Sequence, residues 1–302
     1  VPSVPSRAIS PTHITGFFEI RDQEDDVLRR GSRGAGVCLG LPVLTEVEHS
    51  SNAGEVSIFI NNARAHDAQV SQLMARRLLD LSGTTFGLIV RHYTKAPTGS
   101  GFGTSGAAAL SLALAGSQAL DLGISDVEAA QLAHAVEVTL QTGLGTVAGE
   151  FYGGLELRSQ PGAPGFGKVT RIPTGDDYSV VALHNGPMST SALLSDPAIR
   201  QRINAVGGRL TEDLLGDMRV ERFLQLSQEF TTAVGVASDE LRRIILDAEK
   251  QGYWLGMAMF GRTLFTIVRN NEIDEIFGLL QRDEPKGRIV IARIDTQGAH
   301  RL

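Results

Sequence analysis

The chain has 302 residues, enough for one or two ordinary cores, and its 42% hydrophobic and 21% charged residues exclude a disordered or fibrous polypeptide. Lys and Arg total 28 against 34 Asp and Glu, a net charge of −6 with no basic block, which argues against nucleic acid as a partner. The most apolar run, 107–122, is broken by Ser111, Gly116, Ser117, Gln118 and Asp121 and is too short to span a bilayer, no signal-peptide pattern opens the chain, and the single Cys38 reads as a small buried hydrophobe in a reducing compartment, the cytoplasm.

Strands are predicted over 37–47 and 55–60, followed by an amphipathic helix over 67–81 that Gly83 closes as a left-handed cap. A strand over 86–93 leads into a glycine-rich loop and an apolar helical stretch over 110–120. Ser125-Asp126-Val127-Glu128 has the S-x-x-E form of a capping box and opens a helix that runs to Gln141 and stops at Gly143. Strands over 154–158 and 168–172 flank a turn-rich segment, 159–167, and close a first half, 1–176. The second half, 177–302, begins with a strand over 178–183; Asp196-Pro197 marks a helix start and Ser238 caps a helix ending near Gly252. A hairpin over 254–260 and 263–268, a helix over 272–281 and a strand over 288–294 complete it. Mixed helices and strands of this kind make an α+β fold.

The loop Pro97-Thr98-Gly99-Ser100-Gly101-Phe102-Gly103-Thr104-Ser105-Gly106 has the layout of an anion cradle. Its glycines let successive amides turn toward one centre, and the helix behind it adds unpaired N–H groups and a positive dipole end, so a phosphate suits it; the hydroxyls of Thr104 and Ser105 sit where one could reach Mg²⁺. Gly101 to Gly106 also satisfies G-x-G-x-x-G, but the preceding strand ends well before Gly101, Pro97 interrupts the approach, and Asp121 and Asp126 fall between two helices rather than at a strand end. No lysine follows the last glycine, so a Walker A loop is excluded. On the capped helix, His134, Glu137 and Gln141 share one face, either as a solvated surface or as part of a site. Arg158, at a strand end, is either a surface charge or an anion ligand, and His13 and Thr15 either line a cleft or, for His13, pack in a core.

The loop resembles the second motif of the GHMP kinases, which phosphorylate small-molecule hydroxyls with ATP and Mg²⁺. Pro11-Thr-His13-Ile-Thr15-Gly16-Phe17-Phe18, Gly31-Ser32-Arg33-Gly34-Ala35-Gly36, Thr142-Gly143-Leu144-Gly145 and Gly256-Met257-Ala258-Met259-Phe260-Gly261 occur in the order seen in the archaeal pantoate kinase branch, so that the resemblance spans nearly the whole chain. In the last of these motifs methionines replace several glycines of most GHMP kinases, which suits that branch. The resemblance implies an N-terminal S5-like domain (1–176) and a C-terminal ferredoxin-like domain (177–302) with the active site between them. It implies further that Pro97, Gly99, Ser100, Gly101, Gly103, Thr104, Ser105 and Gly106 bind ATP, that Ser105 and Glu137 hold Mg²⁺ and act in catalysis, and that Ser32, His134 and Arg158 bind pantoate. A homodimer is a further expectation, as is a place in coenzyme A synthesis.

One position departs from the pattern. Pantoate kinases read T-G-L-G-D-V, whereas this chain has Thr146 where the catalytic Asp is expected. A threonine hydroxyl is not a base near neutral pH. Three readings follow: a slow kinase relying on alignment and charge stabilisation, a variant altered to trap substrate, or a non-catalytic binding paralogue. A kinase of another small alcohol is the enzymatic alternative, and Glu150, four residues on, is a candidate for the substitute base.

Overall fold

In the computed structural model, which describes residues 5–187, 196–258 and 261–302, the chain opens with two long antiparallel strands, β1 (Ser6–Arg21) and β2 (Gly31–Ser50). The sequence suggests no strand over 6–21, because Pro11 and Gly16 interrupt its alternation. Both sit at register shifts, between Ser10 and Thr12 and between Thr15 and Phe17, where a bulge removes the need for a ladder amide. Residues 34–37 of β2 pair with β6 (Leu155–Gln160), whose other edge carries β7 (Lys168–Ile172). Residues 43–50 pair instead with β5 (Gly87–Thr94), which runs parallel to β3 (Val56–Ile60), itself paired with β4 (Ala63–Arg64). The chain end returns to this sheet, since β12 (His300–Arg301) pairs with β1 and Ile294 bridges to Leu39.

On one face of this sheet lie α1 (Gln69–Ser82), α2 (Thr104–Ala119), α3 (Asp126–Leu140) and α4 (Thr146–Tyr152), of which α1, α2 and α4 rest on strands and α3 packs on the other three helices. α2 begins at Thr104, ahead of the predicted apolar stretch, and is buried on nearly every side because Ala, Leu, Gly and Ser fill it, so α1, α3 and the sheet can all close on it. Gly83 ends α1 in the left-handed conformation, as predicted. Cys38 lies buried with its thiol 3.3 Å from the Gly149 carbonyl, and burial pushes its pKa well up, in keeping with a small inert hydrophobe.

The second sheet contains β8 (Tyr178–Pro187), β9 (Gly256–Ala258), β10 (Gly261–Arg269) and β11 (Arg288–Arg293). Its order, β11-β8-β10-β9, is the fourth, first, third and second strands in chain order, a ferredoxin-like arrangement. Of the predicted hairpin over 254–260, Met259 and Phe260 lie outside the described residues, and the strand begins only at Gly256. Between β8 and β9 the chain forms α5 (Pro197–Gly216), α6 (Val220–Val234) and α7 (Asp239–Glu249), and α8 (Ile273–Asp283) joins β10 to β11. Asp196 and Ser238 cap α5 and α7 by accepting from first-turn amides. α6 has no such start signal, since Arg219 stands at its N-cap with no side-chain bond, and the sequence alone did not reveal it.

Alternation along β8 divides the two cores. Val180 and Ala182 join β1, α5 and α6, while Val181 and Leu183 join α7 and α8 on the other face. α5 and α6 therefore fill the space between the sheets, with Phe17 against Phe223 at 6.2 Å and Phe18 against Phe230 at 5.7 Å between ring centroids. Among the described residues no helix is long and apolar enough to cross a membrane.

Candidate active site

The loop between β5 and α2 depends on three glycines in the left-handed region, Gly99 (φ 67°), Gly101 (φ 84°) and Gly103 (φ 63°), where a side chain would be strained. Gly103 is the N-cap of α2 and supplies no side-chain cap, so the first-turn amides remain available to an anion. Both sheets hold the loop in place. The His13 amide donates to the Phe102 carbonyl at 3.0 Å, and the Thr263 hydroxyl of β10 donates to the Ser100 carbonyl at 2.8 Å. The Phe102 ring is buried and stands edge-on to His184 of β8.

The cleft beside the loop is lined by His13, Thr15, Ser32, residues 99–106, Glu137 and residues 142–146. Glu137 projects into it from α3, whose start is fixed by the reciprocal Ser125–Glu128 capping box and whose end is fixed by Gln141 at φ 55°. Glu137 is almost fully buried, and its Oε1 accepts from Ser105 Oγ at 2.5 Å and from Thr142 Oγ1 at 2.7 Å. Burial raises its pKa and these two hydroxyls partly offset the rise. No Lys or Arg salt bridge reaches this carboxylate among the described residues. One carboxylate and one hydroxyl beside a phosphate cradle is a donor set that fits Mg²⁺, which takes oxygen ligands and shares them with phosphate and water.

Thr146 lines the same cleft, although it opens α4 rather than sitting in a turn. Glu150 lies one helical turn further along, on the same face. Among the described residues neither of its carboxylate oxygens has a hydrogen-bond partner, and the side chain is fully buried beneath the loop. A Cβ added at Gly103 would lie 2.8 Å from the Thr146 methyl and 2.9 Å from Glu150 Oε1. Burial, and secondly the charge of Glu137, push the Glu150 carboxyl well above its ordinary range; the nearby Ala107 amide, already given to Gly103, only tempers this.

The three expected substrate residues are placed differently. Ser32 lines the cleft. Arg158 does not line it but lies directly beneath its floor, 2% exposed, because β6 is flanked by β2 and β7 and is no edge strand. This excludes the surface-charge reading. The Arg158 guanidinium is paired with Glu156, and its Nε, on the side of Ser32 and Gly145, is left without a partner among the described residues. His134 is also buried and does not line the cleft; its Nε2 donates to the Arg30 carbonyl at 2.9 Å, which fixes the segment leading to Ser32, and burial lowers its pKa. Direct contact of His134 with a ligand in the cleft is therefore not what this geometry provides. Pro97 lies at the loop's approach, outside the lining.

Glu156 escapes a reading of the sequence because it sits in a run, Leu155-Glu156-Leu157-Arg158, in which every side chain is buried. The one available signal is that it shares a strand face with Arg158.

Comparisons with known proteins agree with this geometry. Residues 69–154 match the family described as "GHMP kinases N terminal domain". A pantoate kinase of Thermococcus kodakarensis is 34% identical over 281 residues, 91% of each chain, and one of Methanocaldococcus jannaschii is 30% identical over 272 residues, 90% of this chain and 96% of that one. A solved structure described as a phosphotransferase related to the CoA biosynthesis pathway superposes with a TM-score of 0.87 at 31% identity, covering 99% of both chains.

Proposed function

Since the chain belongs to the pantoate kinases, within the GHMP kinase family, we propose that it transfers the terminal phosphoryl group of ATP to the 4-hydroxyl of pantoate, giving 4-phosphopantoate and ADP for coenzyme A synthesis. The observation that carries this reading is the meeting, in one cleft, of the left-handed glycine loop with the Ser105–Glu137 pair on one side and Ser32 above Arg158 on the other.

In this reading the loop 99–106 holds the ATP phosphates through backbone N–H groups. Ser105 and Glu137 hold Mg²⁺, which when bound neutralises phosphate charge. The rest is alignment, which for phosphoryl transfer carries most of the catalysis. Ser32 and the Nε–H of Arg158 meet the pantoate carboxylate, and His134 acts at one remove by anchoring residues 27–30 ahead of Ser32. The buried single thiol fits a reducing compartment, the cytoplasm.

Thr146 favours a second reading, a protein that binds ATP and pantoate with little turnover, because no carboxylate faces the cleft at that position. One experiment separates the two: ADP release measured across a set of small hydroxy acids, alongside pantoate binding by calorimetry. The kinase reading expects release that is fastest with pantoate. Tight pantoate binding without ADP release supports the binding protein, and faster release with a different acid makes the chain a kinase of that acid.

A further inference from the structure

Glu156 is fully buried on β6, and its Oε1 lies 2.9 Å from His13 Nε2 and also accepts from Arg158 Nη1, while its Oε2 has no partner among the described residues. A carboxylate oxygen only accepts, so His13 Nε2 carries the hydrogen. The 3.5 Å approach of Nε2 to Arg158 Nη1 is then two donors converging on one oxygen. Burial lowers the pKa of His13, which keeps the ring neutral near pH 7 and leaves its Nδ1 as the acceptor for Thr15 Oγ1, 3.4 Å away; the ring itself is fully buried and Thr15 stands on the cleft wall. On the other side, the unpartnered Arg158 Nε and Ser32 Oγ converge on Gly145. A Cβ there would collide with Ser32 Oγ and lie 2.7 Å from Arg158 Nε.

One carboxylate thus fixes two neighbours of opposite hydrogen-bonding character. Arg158 is left with a donor edge, and His13 is left with an acceptor. We propose that Glu156 is a positioning residue for the substrate: holding Arg158 Nη1 and His13 Nε2 together, it turns the Nε–H of Arg158 toward a carboxylate and Nδ1 of His13 toward the Thr15 hydroxyl on the cleft wall, whose oxygen is then left to accept from a substrate hydroxyl, which fits this end of the cleft to a small hydroxy acid. The proposal rests on the reading of the cleft as a pantoate site and adds which group orients the recognition pair. Without Glu156 the guanidinium can rotate about its own axis and the imidazole can exchange tautomers, so the donor and acceptor lose their fixed places.

The test is direct binding, which does not depend on turnover. Pantoate, and its analogue lacking the 2-hydroxyl, are titrated by calorimetry into the wild type, the near-isosteric Glu156→Gln and the charge-retaining Glu156→Asp, with ATP binding measured in parallel. Glu156→Gln weakens pantoate binding by about tenfold or more and loses discrimination against the analogue, ATP affinity stays within about twofold, and Glu156→Asp recovers part of the loss. A merely structural glutamate would move ATP and pantoate together and would leave discrimination unchanged, and that result overturns the proposal. A wild type that binds ATP but not pantoate overturns the pantoate reading and the proposal with it, whereas equal pantoate binding by wild type and Glu156→Gln overturns the proposal alone. Should Glu156→Gln fail to fold, the ¹⁵N spectrum of the wild-type imidazoles decides: His13 protonated at Nε2 and bare at Nδ1 supports the assignment, and the reverse tautomer contradicts it.

Discussion

Thr146 and Glu150 stand one turn apart on α4, but the Glu150 carboxylate is held beneath the loop and not in the cleft that Thr146 lines. An aspartate at 146 would be a third carboxylate beside the buried Glu137 and Glu150, and like charges packed this closely resist ionisation. Thr146→Asp alone is therefore expected to give less than Thr146→Asp combined with Glu150→Gln. The double variant should raise 4-phosphopantoate formation by roughly 10² where proton removal limits the rate, with ATP binding little changed. No gain in initial rate from either variant places proton transfer elsewhere. Glu150→Gln by itself has a second readout in stability. The folded carboxyl titrates well above its ordinary 4.5, so the wild type holds extra protons over the unfolded chain and loses stability as pH rises from 4.5 through that raised value. Thermal unfolding of Glu150→Gln should lack this decline. At this scale the glycines, Ser105 and Thr146 were legible because each sits in a motif with fixed spacing, and Glu137 only through the family resemblance, since its helix face alone reads equally as a solvated surface. Glu156 and the burial of Arg158 were not legible, because a charged pair inside a strand has no periodic signature once both strand faces are covered.

The elements that carry the loop are joined by a polar chain through an otherwise apolar core. His92 of β5 lies 2.8 Å from Thr45 Oγ1 of β2 and 3.0 Å from Ser71 Oγ of α1, and Thr45 lies 2.6 Å from Ser111 Oγ of α2. Burial holds the His92 pKa down to about 4 from 6.5. The unfolded chain protonates near 6.5 and the folded chain only near 4, so this contribution is complete above 6.5 and is lost as pH falls toward 4, by roughly 3 kcal/mol in all. Urea unfolding between pH 7.5 and 4.5 should show a shallower fall for His92→Gln than for the wild type, His13 and His134 contributing to both. Equal slopes would contradict the assignment. The helices α1, α3, α5 and α7 were readable because cap residues or a left-handed glycine mark their ends. The strand β1 and the helices α4 and α6 were not, the first because bulges at Pro11 and Gly16 break its period, the others because they start without a capping side chain.

For the whole molecule, the consequence of placing α5 and α6 between the sheets is that the second sheet braces a loop belonging to the first. β10 does this twice, through the Thr263 hydroxyl and through Gly261, where an added Cβ would collide with the Ser100 carbonyl. Gly261→Ala should therefore weaken ATP binding, by on the order of tenfold, although residue 261 is remote in sequence from the loop. Unchanged ATP affinity in a folded Gly261→Ala would mean that the loop is set by β1 alone. The α+β class followed from the pattern of elements and the ferredoxin-like second half from the family resemblance, but this brace followed from neither, since contacts between distant segments leave no mark on local periodicity. The account as a whole is tested most directly by ³¹P NMR of the wild-type protein incubated with ATP, magnesium and pantoate. A new phosphomonoester resonance appearing in step with ADP, and absent when pantoate is omitted, is the expected result. ADP accompanied only by inorganic phosphate, or an unchanged ATP spectrum at saturating pantoate, would contradict it.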